Sequence, residues 1–157
     1  MFLLDTDVLS ELRRRRRDRH VVAWIGDVTA ADLFLGAVTI GEIELGIARQ
    51  QVLNPGFAQE LTEWLDVTLR AYGERILPLT VGIARRWGRL AAQLDNKQLD
   101  LAIAATALEH GLTVVTRNVS DYEPTGVPIL NPFNARPRKK KWETYDRKPA
   151  RSHQAIQ

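Results

Sequence analysis

Cysteine is absent from the 157-residue chain, which excludes a disulfide framework and any thiolate metal site. No stretch approaches the roughly 18 unbroken apolar residues that a membrane-spanning helix requires. The opening MFLLDTDVL carries acids where a secretory signal would carry a basic region and then an apolar run. Histidine is scarce, and His20, His110 and His153 have no metal-ligand spacing. No internal repeat divides the chain. With 45% hydrophobic and 26% charged residues, the composition is that of one soluble globular domain, expected to act in the cytoplasm and away from membranes.

Charge is present but unevenly placed. Residues 1–135 hold 14 Lys and Arg against 17 Asp and Glu, a net of −3, whereas residues 136–157 hold 8 against 2, a net of +6. The overall +3 therefore describes neither part. We expect a folded domain over 1–134 and a basic, disordered tail over 135–157, where apolar periodicity ends and little remains to bury. A second basic focus, Arg13 to Arg17 with Arg19, follows closely on the first acids.

Strand-like and helix-like segments alternate. Phe2-Leu3-Leu4 predicts a buried strand ending at Asp5, and Asp7 is placed to cap a helix from Val8 to about Arg16. Leu33 to Thr39 predicts a second strand, with Thr39 capping a helix in which Ile40, Ile43 and Ile47 form an apolar stripe. Helices are expected over Phe57–Tyr72, Val81–Leu94 and Leu99–Glu109, the last stopped by His110-Gly111. Ile76–Leu79, Leu112–Thr116 and Ile129-Leu130 complete the strands. This order predicts an α/β protein in three layers, with a central parallel sheet of four or five strands.

Ligands of an open parallel sheet collect beyond the carboxyl ends of its strands. Asp5 ends the first strand, Glu42 lies in the first turn of the helix after the second, Asp100 opens the helix leading into LTVVT, and Asn118 and Asp121 follow that strand. Each has an ordinary alternative: a turn residue, a solvated helix charge, or a helix N-terminal acid favoured by the macrodipole. Their common location is what distinguishes them. Acids so gathered repel one another unless a cation neutralises them. Oxygen-only ligands select a hard ion such as Mg²⁺, with Mn²⁺ able to substitute. Such an ion can polarise a phosphate, activate water and offset charge on a leaving oxygen, which suits phosphodiester hydrolysis.

The segments LLDTDVLSELR (4–13), TIGEIELGIA (39–48), DLAIAATALEHGLTVVTRN (100–118) and NVSDYEPTGVPILNPF (118–133) resemble the PIN-domain toxins of the VapC and FitB group, in the same order, from Met1 to Phe133. The resemblance implies a Rossmann-like α/β/α fold, Mg²⁺-dependent ribonuclease activity, a cognate antitoxin that holds the protein inactive, and a homodimer. It implies Asp5 and Asp100 as principal metal ligands, Glu42 as the acid that helps bind metal or orient water, and Asp121 as the fourth acid, preceded by the polar Asn118. Thr6 and Thr116 match hydroxyl positions that steady carboxylates or contact phosphate. The chain departs from the pattern at Asp7, where many members carry asparagine, in the short stretch Leu94–Leu99 that makes Asp95 a rival acid, and in the basic tail.

Arg13 and Arg14, heading the arginine run, are candidates for RNA backbone capture, beside the ordinary reading of a solvated helix end or an antitoxin contact. Trp24, Trp64 and Trp87 are read as core or dimer-interface residues. Two rival functions remain. Asp5-Thr6-Asp7 has the D-x-D form of a haloacid-dehalogenase-like phosphatase, and the acids could serve a non-catalytic, receiver-like Mg²⁺-binding module. Glu42 and the NVSDY block fit the phosphatase poorly, and a receiver lacks its lysine, since Arg117 occupies the nearest place.

Overall fold

Short runs of leucine and β-branched residues, each closed by a polar residue, glycine or proline, form the strands. A computed structural model of the chain describes residues 1–96 and 98–134. The basic tail expected over 135–157 lies outside the described residues. The strands are β1 (Phe2–Leu4), β2 (Leu33–Gly36), β3 (Ile76–Leu77), β4 (Thr113–Val115) and β5 (Ile129–Leu130). They pair in parallel in the order β3-β2-β1-β4-β5, so the expected parallel sheet has five strands. The helices among the described residues are α1 (Thr6–Arg13), α2 (Arg19–Asp27), α3 (Ala37–Leu53), α4 (Pro55–Tyr72), α5 (Val81–Leu94), α6 (Asp100–His110) and α7 (Val119–Tyr122).

Successive side chains of a strand point to opposite faces, and both faces here are covered. Leu4 and Val115 enter a core with Val8, Leu9, Val21, Leu35, Ile43 and Leu65. Their neighbours Leu3 and Val114 enter the other, with Ile103, Ala104, Ala107 and Tyr122. This is the three-layer α/β/α arrangement. Leu3, Leu4, Val114 and Val115 are fully buried, so β1 and β4 form the rigid centre from which the first acids project.

Several boundaries differ from expectation for local reasons. Asp5, not Asp7, caps α1, its Oδ1 accepting from the Thr6 N–H at 2.7 Å. Asp7 falls inside the first turn, where an acid also suits the helix dipole. The helix stops at Arg13 rather than near Arg16. Consecutive arginines repel, and Glu11 draws the chain aside by pairing with Arg14 at 2.9 Å and accepting from the Asp18 N–H at 2.7 Å. Asp18 then caps α2 through the N–H groups of His20 and Val21.

The second strand ends at Gly36 and α3 begins at Ala37, so Thr39 lies within the helix and caps nothing. It is fully buried, and its hydroxyl has no hydrogen-bond partner. The earlier start turns Glu42 into the second turn. Pro78 restricts β3 to two residues, since proline cannot donate to a ladder.

Truncating the wall beside Asp5 tests this architecture. Leu4→Ala is expected to cost about 2–5 kcal/mol, read from urea unfolding followed by circular dichroism.

Candidate active site

Backbone pairing carries the sheet one residue past its strands and fixes the site. The Asp5 N–H donates to the Val115 carbonyl at 3.0 Å, and the Thr116 N–H to the Leu130 carbonyl at 3.0 Å. Asp5 and Thr116 are therefore adjacent on neighbouring strands, and the Thr116 hydroxyl donates to Asp5 Oδ2 at 2.7 Å. Both are buried. The Thr116 oxygen also accepts from the Asn118 N–H at 3.0 Å, which turns the chain out of β4.

Thr6 links the next acid. Its N–H holds Asp5 Oδ1 while its hydroxyl donates to Glu42 Oε2, across from α3. Asp100 reaches the group from the first turn of α6, and its Oδ1 accepts from the Tyr122 hydroxyl at 3.3 Å. Asp7 Oδ2 accepts from the Arg117 N–H at 2.8 Å, and its Oδ1 is buried without a partner.

These side chains also bear on one another electrostatically. Burial pushes the Asp5 carboxyl up to about 7 against the Thr116 hydrogen bond, and Asp7 and Asp100 add to the rise. Burial also raises Glu42, opposed by the Thr6 hydrogen bond and reinforced by Asp100. Asp100 is raised by burial and by Asp121, while the Tyr122 hydroxyl works the other way. Asp7 is raised mainly by burial. The ion pairs formed among the described residues join Arg14 and Arg117 to Glu11 and Arg86 to Glu109, so none relieves Asp5, Glu42 or Asp100.

The sheet ends thus bring together Asp5, Thr6, Glu42, Asp100 and Thr116, with Asp121 beside Asp100. Asn118 is exposed and enters through its backbone N–H. Asp95 adopts the left-handed conformation that ends α5 and is exposed, where it serves as a C-cap. Arg13 and Arg14 face elsewhere: the Arg13 guanidinium lies over the rings of Phe57 and Trp64 at 5.0 and 6.0 Å, and Arg14 pairs with Glu11.

A family profile described as "PIN domain" matches residues 2–120. The chain belongs to the PIN-domain family. It is 34% identical over 144 residues to the VapC ribonuclease Y4jK of Sinorhizobium fredii, spanning 85% of this chain and 98% of that one. It is 35% identical over 140 residues to the toxin FitB of Neisseria gonorrhoeae, spanning 85% and 99% respectively. The solved structure of FitAcB from Neisseria gonorrhoeae superposes with a TM-score of 0.75 at 34% identity, covering 86% of this chain and all of the matched one. No helix among the described residues of this PIN domain is long and apolar enough to cross a membrane.

Two residues escaped the sequence reading. Tyr122 is fully buried, yet its hydroxyl meets Asp100 and stands next to Asp5. Glu11 is the other. Only 4% exposed, it joins Arg14, Arg117 and the Asp18 N–H, and so ties α1 to the loop after β4. Arg117 completes that tie by lying over the Phe133 ring at 3.8 Å.

The donor set of this PIN domain fits a hard divalent cation. It offers carboxylate oxygens alone, burial disfavours their charged forms, and no side-chain cation offsets them. Among the described residues no group of three acids is gathered closely enough to hold a metal ion as it stands; Thr116, Thr6 and Tyr122 hydrogen-bond Asp5, Glu42 and Asp100 respectively.

A raised carboxyl stabilises the fold while protonated and loses that contribution as pH climbs through the folded value near 7. Asp5→Asn cannot lose it. In EDTA the variant is expected to gain about 2–4 kcal/mol on wild type between roughly pH 4 and pH 8, measured by chemical denaturation at each pH.

Proposed function

We propose that the chain is a metal-dependent ribonuclease and the toxin member of a toxin–antitoxin pair, hydrolysing RNA phosphodiester bonds at the acids grouped around Asp5. The reading is carried by the buried, hydroxyl-anchored Asp5 with Asp100 beside it, and is supported by a relative whose name is VapC ribonuclease over nearly its whole length. In this reading Asp5 and Asp100 hold Mg²⁺, or Mn²⁺ in its place. The bound ion supplies charge neutralisation at the phosphate and a more acidic water.

The chain's own residues do the rest. Thr116 and the Thr6 N–H fix both oxygens of Asp5, so its orientation is set before any ligand arrives. Glu42, whose Oε2 is held by the Thr6 hydroxyl, takes the proton of the attacking water. Asp121 adds charge next to Asp100 and completes the acidic group. Arg15 to Arg17 are exposed beyond the end of α1 and serve as the backbone-binding surface, while Arg14 is paired with Glu11. Arg13, turned toward α4, contributes less.

The partner is a cognate antitoxin, in keeping with a relative whose name is toxin FitB, and the working form is a cytoplasmic homodimer. The phosphatase alternative is disfavoured because Asp7, its required acid, is committed to the Arg117 N–H.

Purified protein is expected to cut single-stranded RNA with Mg²⁺ and to stop with EDTA. Asp5→Asn and Asp100→Asn should each lower the cleavage rate by at least about 100-fold, since each removes several kcal/mol of metal-borne stabilisation. Undiminished cutting by both variants, followed on a fluorescently labelled RNA, removes this mechanism.

A further inference from the structure

Tyr122 combines two environments. Its ring is fully buried in the core formed by Leu3, Ile103, Ala104, Ala107, Val114 and Val127. Its hydroxyl emerges among acids, donating to Asp100 Oδ1 at 3.3 Å and standing beside Asp5. The backbone behind it is fixed as well. The Thr125 hydroxyl donates to the Tyr122 carbonyl at 2.6 Å and accepts from the Val127 N–H at 3.3 Å, while Gly126 takes a left-handed turn with φ of 72°. A tyrosine has two side-chain torsions before its hydroxyl, and here packing leaves neither free.

We infer that Tyr122 is a positioning residue for the metal-binding carboxylates: its rigid hydroxyl fixes Asp100 through Oδ1, beside Asp5, so that a divalent cation meets a prepared pair. The inference rests on the nuclease reading for the role of Asp5 and Asp100, and goes beyond it in assigning metal affinity to a residue that touches no metal. In this contact the hydroxyl is the donor and the carboxylate oxygen of Asp100 the acceptor. As a donor it eases the charged form of Asp100 against the opposing effects of burial and Asp121. It also selects which oxygen of Asp100 remains for a ligand. Thr116 holds Asp5 from β4, with the Thr6 N–H on its other oxygen, so each principal acid is oriented by a hydroxyl on a buried scaffold.

Tyr122→Phe removes one oxygen and keeps the ring. Partners of this kind are worth about 10–100-fold in metal affinity. The test is Mn²⁺ binding by the full-length protein, followed by calorimetry and by electron paramagnetic resonance of the free ion. Melting in EDTA is measured alongside, together with the Mn²⁺ concentration for half-maximal RNA cleavage. We expect Tyr122→Phe to weaken Mn²⁺ binding about tenfold or more and to raise the half-maximal concentration in parallel. At saturating Mn²⁺ cleavage should recover to within a few-fold of wild type, and melting in EDTA should stay close to wild type. Ile103→Val, which loosens the same core and keeps the hydroxyl, should lower the melting temperature in EDTA without changing Mn²⁺ affinity.

An unchanged Mn²⁺ affinity in Tyr122→Phe overturns the assignment, as does an equal loss in Ile103→Val, which would make the effect one of packing. A wild-type protein that neither binds Mn²⁺ saturably nor cuts RNA with it overturns the nuclease reading instead, so the two failures are told apart.

Discussion

The hydrogen bond between Thr116 and Asp5 is the constraint from which the site follows. It forms because β1 and β4 are neighbours in a parallel ladder that runs one residue past each strand. That extension places a hydroxyl donor against a carboxylate in a position where water is excluded. Thr6, Glu42, Tyr122 and Asp100 then assemble around an acid that is already fixed. Had the ladder ended one residue earlier, Asp5 would be a solvated turn residue with an ordinary carboxyl.

A group of this kind strains its own scaffold. Asp5 is buried with an elevated carboxyl and no cationic partner, and Glu42 and Asp100 share its surroundings. Near neutral pH a compact fold keeps such acids either by leaving some of them protonated or by admitting an external cation. The hydroxyls of Thr6, Thr116 and Tyr122 moderate the repulsion without removing the acids' capacity to bind an ion. The same contacts that make the site tolerable in the metal-free protein also set the directions in which its oxygens point.

Much of this was legible from residue order, for reasons that can be named. The placement of Asp5, Glu42 and Asp100 toward one edge could be anticipated because parallel topology gathers strand ends and helix starts there, and apolar runs mark where strands end. All five strands were expected close to their places. The errors fell where a side chain competes with the backbone. Asp7 and Asp5 are both good caps, and the ladder bond to Val115 decided for Asp5. Thr39 resembles a cap but is drawn into the helix behind Gly36. Tyr122 and Glu11 were missed because their importance lies in contacts 22 and 106 residues away along the chain, which no local pattern encodes.

The separation of 111 residues between Asp5 and Thr116 has a consequence for biogenesis. The first acid leaves the ribosome 111 residues ahead of the threonine that orients it. Until β4 slides in beside β1, Asp5 has no Thr116 and β1 is an edge strand of the sheet begun by β2 and β3, where a one-residue slip of β4 would turn its side chains to the wrong faces. An incomplete nascent chain therefore carries the ingredients of the site without the site itself, and competence arrives only with the last central strand.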